Sequence, residues 1–414
     1  DEEYLCPGER PWLGPEGRES CTAPVRGSLR SALNVYFGHI RSSIYLPRTE
    51  DSKIESLLLK LEDIPLSTLL RTLLDLQAPN ERIVETLRSQ QGTILKEYSN
   101  NQIISGIELI KNNIPKDEIQ NTQEEIDDPL LFRREEFEVL RTPRDEEVLK
   151  IRQMDVSNYG HGITNYFSNI MLIDKLRETR VLSGFSRVFA ENDQNLKQRK
   201  EMLWKDKSKI NTWLPAYIVY GEGIFLEFNE EKIRAWEKAT KVQKRVEKLV
   251  ERYKASQEKR RLKYRPIGAR FILIHTFSHL LMNRLIFECG YSSAALRERL
   301  YVSSEEDFPM AGLLIYTADG DAEGTMGGLV RMGKPGYLEP AVVTAIEEAR
   351  WCSADPVCME MGNLHGQGPD SCNLAACHNC ALVPETACEE FNRFLDRGVV
   401  IGDISDPSIG FFTA

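Results

Sequence analysis

The chain has 414 residues and a formal net charge of −10, with 41% hydrophobic and 28% charged residues, ordinary values for a globular protein long enough for two or three domains. No run of 18 apolar residues occurs, which excludes a membrane-spanning helix and predicts no membrane partner. The acidic balance means that any nucleic-acid contact must come from a local basic patch.

An odd number of cysteines, nine, with six between Cys352 and Cys388, predicts a reducing cytoplasm rather than a secreted disulfide scaffold. The start at Asp1 is acidic, without an apolar segment, so no signal peptide is expected and the chain reads as part of a longer protein. Residues 1–48 are rich in Pro, Gly and Arg and read as irregular, giving way to a β-leaning stretch that ends at Pro47. Cys6 and Cys21 in this segment supply half of a second metal site, whose other ligands would lie upstream.

From Ser52 to Ile114 apolar residues recur at three- and four-residue spacing, as in Ile54, Leu57, Leu58 and Leu61, which predicts a small helical bundle with further helices over 66–77, 80–98 and 101–112. Residues 115–129 are acidic and read as a loop or linker. A helix over 132–140 and a strand over 148–155 follow. The segment 174–187 reads as a helix stopped near Gly184 and leading into a strand. Residues 213–228 read as two short strands around a Gly221-Glu222-Gly223 turn. The third glycine and following helix of a dinucleotide fingerprint are missing there.

A long polar helix is predicted over 230–263. Between Lys232 and Arg265 there are 14 Lys or Arg against four acidic residues, the one strongly basic stripe of the chain. Lys241, Lys244, Arg245, Lys248 and Arg252 are its candidate phosphate contacts, against the simpler reading of a solvated face. The next helix, 270–289, ends at Gly290 and carries His275 and His279 on one face. The glutamate of a zinc-protease motif is replaced by Thr276, so paired core histidines are the simpler reading. A further helix is predicted to start at Tyr291, followed by an apolar strand over 311–317. That strand runs into an acidic, Gly-rich turn whose Asp319, Asp321 and Glu323 are candidate oxygen ligands for a divalent cation, the basis of an alternative reading as a metal-dependent nuclease or phosphodiesterase. A helix over 340–351 leads into the cysteine cluster.

In that cluster Cys377-x-x-Cys380 folds two sulfurs onto one side of a turn, and zinc needs four such ligands in a tetrahedron. A redox pair would sit alone beside a βαβ pattern. Spacing leaves the remaining ligands open among Cys352, Cys358, Cys372 and Cys388.

Several blocks carry a resemblance: His275-Thr-Phe-Ser-His279-Leu-Leu; Cys289-Gly-Tyr-Ser-Ser-Ala-Ala-Leu-Arg-Glu-Arg-Leu-Tyr301; Leu314-Ile-Tyr-Thr-Ala-x-x-Asp-x-Glu-Gly-Thr-x-Gly-Gly-Leu-Val330; and Ala375-Ala-Cys-His-x-Cys380-x-Leu-x-Pro-Glu-Thr-x-Cys388-Glu-x-x-Asn-x-x-Leu-Asp-Arg397. They resemble the helicase-associated zinc-binding module of MrfA-type DNA-repair helicases, which is also the C-terminal part of the DrmB family of the DISARM antiphage defence system. Cys6-Pro-Gly-x-x-Pro-Trp-Leu-Gly14, Arg30-x-Ala-x-Asn-Val-Tyr-Phe37, Ser42-Ser-Ile-Tyr-Leu-Pro47 and Trp213-Leu-Pro-Ala with Gly221-Glu-Gly-Ile-Phe225 resemble the DrmB family. No Walker A or Asp-Glu-x-His helicase motif occurs, so a detached repair-helicase module is the weaker alternative.

The resemblance implies a non-ATPase, non-enzymatic subunit that binds a DrmA-like superfamily 2 helicase and helps it engage DNA. The implied cofactor is zinc. The family pattern has no fixed cysteine at Cys372, so Cys358, Cys377, Cys380 and Cys388 are the expected ligands, with Cys352 the first substitute. The resemblance also implies a missing N-terminal part. The expected fold class is α+β, divided as a Cys/Pro/Gly-rich segment (1–48), a helical region (49–128), an α/β region (129–228), a long basic helix (229–265) and a zinc-stapled C-terminal domain (266–414).

Overall fold

The computed structural model describes residues 4–9, 14, 18, 20–21, 36–49, 51–113, 129–187, 203, 213–260, 264–317, 327–403 and 405–413. After strand β1 (Tyr36–Ile44) come helices α1 (Ser52–Glu62), α2 (Leu66–Asp75), α3 (Asn80–Leu95) and α4 (Asn100–Asn113). Asp51 caps α1 by accepting from the amides of Lys53 and Ile54, as a short acceptor at that position should. The leucine and isoleucine stripes of these helices meet in one small core around Leu57, Leu61, Leu70, Ile83, Leu87 and Ile103. This is the expected bundle, and nothing in it is arranged for chemistry.

The rest is built on an antiparallel sheet. Helix α5 (Pro129–Leu140) is followed by β2 (Arg144–Asp145), β3 (Leu149–Met154), a single-turn helix α6 (His161–Thr164), β4 (Phe167–Arg187) and β5 (Ala216–Phe228). Two helices, α7 (Glu230–Glu237) and α8 (Thr240–Arg260), lead to α9 (Ala269–Cys289), then β6 (Leu296–Ser303) and β7 (Met310–Thr317). Among the described residues the sheet has seven strands in the order β2-β3-β4-β5-β7-β6, with β1 alongside the C-terminal half of β4. The regions 129–228 and 266–414 therefore share one sheet through the pairing of β5 with β7.

Both faces of the sheet are covered. Ile170, Leu172, Ile224, Leu226, Leu313 and Ile315 enter one core with the helices, while Met171, Ile173, Phe225, Leu314 and Tyr316 alternate with them into a second core that includes Phe137 of α5. This alternation is the period of two that a pleated strand imposes. Helix α9 is buried on nearly every face and is the central post of the larger core, as expected of a helix apolar all round. It ends where Gly290 takes φ 69°.

Three local expectations are corrected. Residues 174–187 are strand β4, not a helix, because Leu176, Glu178 and Arg180 alternate as buried positions and the segment pairs on both sides. The buried charges that disguised it are partnered: Glu178 accepts from Arg180 at 2.8 Å and from the Tyr316 hydroxyl at 3.1 Å. Residues 296–303 are strand β6 rather than helix, because they pair along their whole length with β7. Residues 216–228 form one strand without a turn. Gly223 is needed for close approach, since a Cβ there would lie 2.9 Å from the Ile315 carbonyl oxygen. Gly223→Ala is expected to destabilise the fold by about 1–3 kcal/mol, as overpacking does. An unchanged denaturant midpoint would refute the close-approach account.

Between them, Glu222 reaches the backbone amides of Gly327 and Leu329. It thereby fixes the start of helix α10 (Gly328–Met332). The acidic turn before that helix, with Asp319, Asp321 and Glu323, and most of the acidic 115–129 segment lie outside the described residues. The predicted long polar helix is α7 and α8 separated at Lys238-Ala239.

Candidate metal centre

The expected C-terminal helix is α11 (Leu338–Glu348), which delivers Cys352. Helix α12 (Val357–Leu364) holds Cys358 in its first turn, and the 377–380 turn supplies the other two sulfurs. That turn is closed by the Cys380 and Ala381 amides, both donating to the Cys377 carbonyl at 3.1 and 3.0 Å. The Sγ atoms of Cys352, Cys358, Cys377 and Cys380 lie within 4.8 Å of one another. Cys352 to Cys377 is 3.5 Å, Cys377 to Cys380 3.7 Å and Cys358 to Cys380 3.9 Å. A tetrahedron with zinc–sulfur bonds of about 2.3 Å has edges of about 3.8 Å, which these three distances match.

The shell around the sulfurs is polar in the way thiolates require. The Ala354 amide donates to Cys352 at 3.4 Å, the Cys377 amide to Cys380 at 3.3 Å, and the Gln367 side chain to Cys358 at 3.5 Å. The hydrogen bond from Cys380 holds the Cys358 thiol down to about 5 and pushes Cys380 up, while burial pushes Cys377 up to about 11. Arg397, on helix α13 (Arg397–Ile401), is fully buried and adds positive charge beside Cys358 and Cys380. It is anchored by the Ala349 carbonyl at 2.6 Å and by Asp355 at 2.9 Å. Cysteine spacing could not have found it; its only trace in the sequence is the Leu-Asp-Arg end of the last family block.

Cys388 is not in this cluster. Cys352 takes the place expected for it, because residues 381–387 carry the chain across to α9. There the Cys388 sulfur lies 3.2 Å from His275 Nε2. Glu298 Oε1 lies 3.1 Å from the same nitrogen and 3.5 Å from His279 Nε2. All four residues are buried, and their donor atoms lie within 4.8 Å of one another. Burial pushes the His279 imidazole below its ordinary value and the Cys388 thiol well above its own. The paired histidines are thus core residues, as the sequence suggested, but joined by a glutamate and a cysteine that it gave no reason to group with them. Cys372 is buried among apolar side chains, its sulfur donating to the Asp370 carbonyl. Cys6 and Cys21 are half-buried, in segments linked by the antiparallel Glu9–Arg18 bridge. Among the described residues no cluster of three or more donors includes them.

The basic stripe is only partly a surface. Arg245 is buried and bonds Asp396 at 2.6 and 2.8 Å and Asp403 at 2.7 Å, so it ties α8 to the C-terminal segment and is removed from the phosphate-contact set. Arg252 donates to the Leu364 carbonyl at 3.3 Å, and Lys241 contacts Ser408. Lys244 and Lys248 are exposed.

No helix among the described residues is long and apolar enough to cross a membrane. The family model of the MrfA Zn-binding domain matches residues 277–381, a span that holds all four clustered cysteines. The DISARM protein DrmB of Bacillus paralicheniformis is 32% identical over 421 aligned residues, covering 99% of this chain and 70% of that relative. Zinc is the metal that the matched domain and the four sulfurs both call for. With a relative at 32% identity aligned over 99% of this chain and a zinc domain where the sulfurs converge, the chain belongs to the DrmB family of DISARM proteins.

Proposed function

We propose that this protein is a non-catalytic subunit of a DISARM-type defence complex, working in the cytoplasm, that docks on a DrmA-like superfamily 2 helicase and helps it engage DNA. The observation carrying this reading is the end-to-end similarity to a DISARM protein DrmB. It favours this over a detached repair-helicase module, whose domain model matches residues 277–381. Zinc is held by Cys352, Cys358, Cys377 and Cys380. Four protein ligands leave no position for a reacting water, so the metal fixes a surface rather than performing chemistry. His275 and His279 are fully buried, out of reach of a substrate, which removes them from the nuclease alternative.

Copurification tests the docking. The protein should coelute with the helicase at moderate salt and raise its DNA-dependent ATPase rate; two separate peaks and an unchanged rate would end this reading. Within the complex, Lys244→Glu with Lys248→Glu should weaken duplex binding and make the salt dependence of log K shallower by about 1.8, the value for two lost phosphate contacts. An unchanged slope would return α8 to a solvated face.

A further inference from the structure

We propose that His275, His279, Glu298 and Cys388 form a second, closed metal site that takes zinc and ties helix α9 to strand β6 and to the chain beyond the four-cysteine cluster. The donor set contains two imidazole nitrogens, one carboxylate oxygen and one sulfur, all within 4.8 Å of one another and all buried. Mixed nitrogen, oxygen and sulfur ligands in a four-coordinate shell suit zinc, a borderline-soft ion without a geometric preference of its own. The site shares no ligand with the four-sulfur cluster.

Hydrogen bonding separates this arrangement from a satisfied core. His279 Nδ1 lies 2.8 Å from the Ala381 carbonyl oxygen, which can only accept, so Nδ1 carries the proton. In the neutral ring Nε2 then presents a lone pair, and it is aimed at Glu298 Oε1, itself an acceptor, 3.5 Å away. Two buried lone pairs facing each other need a proton or a metal ion between them. Consistent with this, His279 Nε2 and Glu298 Oε2 have no hydrogen-bond partner although both are buried, and such orphaned groups call for an explanation. The Nδ1 contact is also the outer-shell bond that orients a metal-bound histidine.

The sulfur is prepared as a ligand. Cys388 Sγ accepts from the backbone amides of Glu390 at 3.3 Å and Asn392 at 3.2 Å, the solvation a buried thiolate lacks in an apolar core. Glu298 is held in place from both sides. Its Oε1 accepts from the Glu389 amide at 3.1 Å, and its own amide donates to the Ala387 carbonyl at 3.1 Å. The site thus joins three segments that are distant in sequence.

The test needs the full chain and two readouts. Zinc K-edge absorption on the unmutated protein should show a mixed shell. One four-sulfur site averaged with one site of a single sulfur and three N/O ligands gives about 2.5 sulfurs and about 1.5 N/O neighbours per zinc. A pure four-sulfur shell would overturn the proposal without any variant. In the second readout, His279→Gln should release about one zinc per chain and leave an all-sulfur shell. Unchanged zinc content in His279→Gln, with unchanged absorption, would equally overturn it.

Discussion

Cys380→Ser should lose the zinc of the four-sulfur cluster and with it the order of the segment between α11 and α13. Structural zinc sites bind with apparent free energies of about 10–16 kcal/mol at neutral pH, and that binding energy is folding energy. Cys380 contacts two of its three partners at 3.7 and 3.9 Å, so its loss opens the tetrahedron on two edges. The consequence reaches beyond the cluster. Buried Arg397 has the sulfur cluster as its nearby negative charge apart from Asp355, and without thiolates it becomes a poorly compensated buried cation. The effect should exceed the 2–5 kcal/mol of an ordinary large-to-small core change. It should appear as fast hydrogen exchange and new protease sites over 349–397. Cys372→Ser is the control: its sulfur lies outside the cluster, so zinc should be retained. Retention of full zinc and protection in Cys380→Ser would mean that another ligand set holds the metal.

The sequence made part of this legible and hid part for physical reasons. Cys377 and Cys380 were readable because a two-residue gap is set by local turn geometry alone. Cys352 against Cys388 was not readable, because the choice depends on where α11 and the 381–387 segment travel in three dimensions. The α1–α4 bundle was readable because its apolar stripes follow the 3.6-residue period, and its one buried charge among the described residues, Glu55, falls on an otherwise regular stripe. Strands β4 and β6 were obscured by Glu178, Arg180, Glu298 and Arg299, which are buried yet look like solvent-facing residues in a linear pattern. Arg245 misled in the same way, counting toward a basic stripe while lying beneath it. Folding supplies the partners that a one-dimensional period does not record: Arg299 meets Glu136 and Arg245 meets Asp396 across elements, and Glu178 meets Arg180 along β4. Glu298 is the sharpest case: as a charged strand residue it looked unremarkable, and only the packing of α9 against β6 places it between two histidines.

The strength of those buried pairs sets the second large effect. Arg299→Met should destabilise the fold by about 3–5 kcal/mol, the range for removing one partner of a buried pair. Arg299 donates to Glu136 through Nε at 2.7 Å and Nη2 at 2.5 Å, and to Ser42 Oγ and the Ser42 carbonyl, both at 2.8 Å. It therefore joins β6, α5 and β1 at one point. Glu136 also accepts from the Tyr301 hydroxyl at 3.1 Å and the Ile44 amide at 3.2 Å, and it is 0% exposed. After the substitution the carboxylate stays buried, with Arg133 at 3.6 Å as the remaining cation, which places the expected loss toward the lower end. Pairing the change with Glu136→Leu should recover the part of the loss that comes from the unpaired carboxylate, because apolar residues can replace a buried ion pair at little cost. The Ser42 carbonyl, the Ile44 amide and the Tyr301 hydroxyl would then lack these partners, at about 1–3 kcal/mol each if no water reaches them. Denaturant midpoints of the two single variants and the double variant measure the coupling directly. A single-variant loss below about 1 kcal/mol would show that β1 and α5 are held to the sheet by apolar packing, with the guanidinium contributing little.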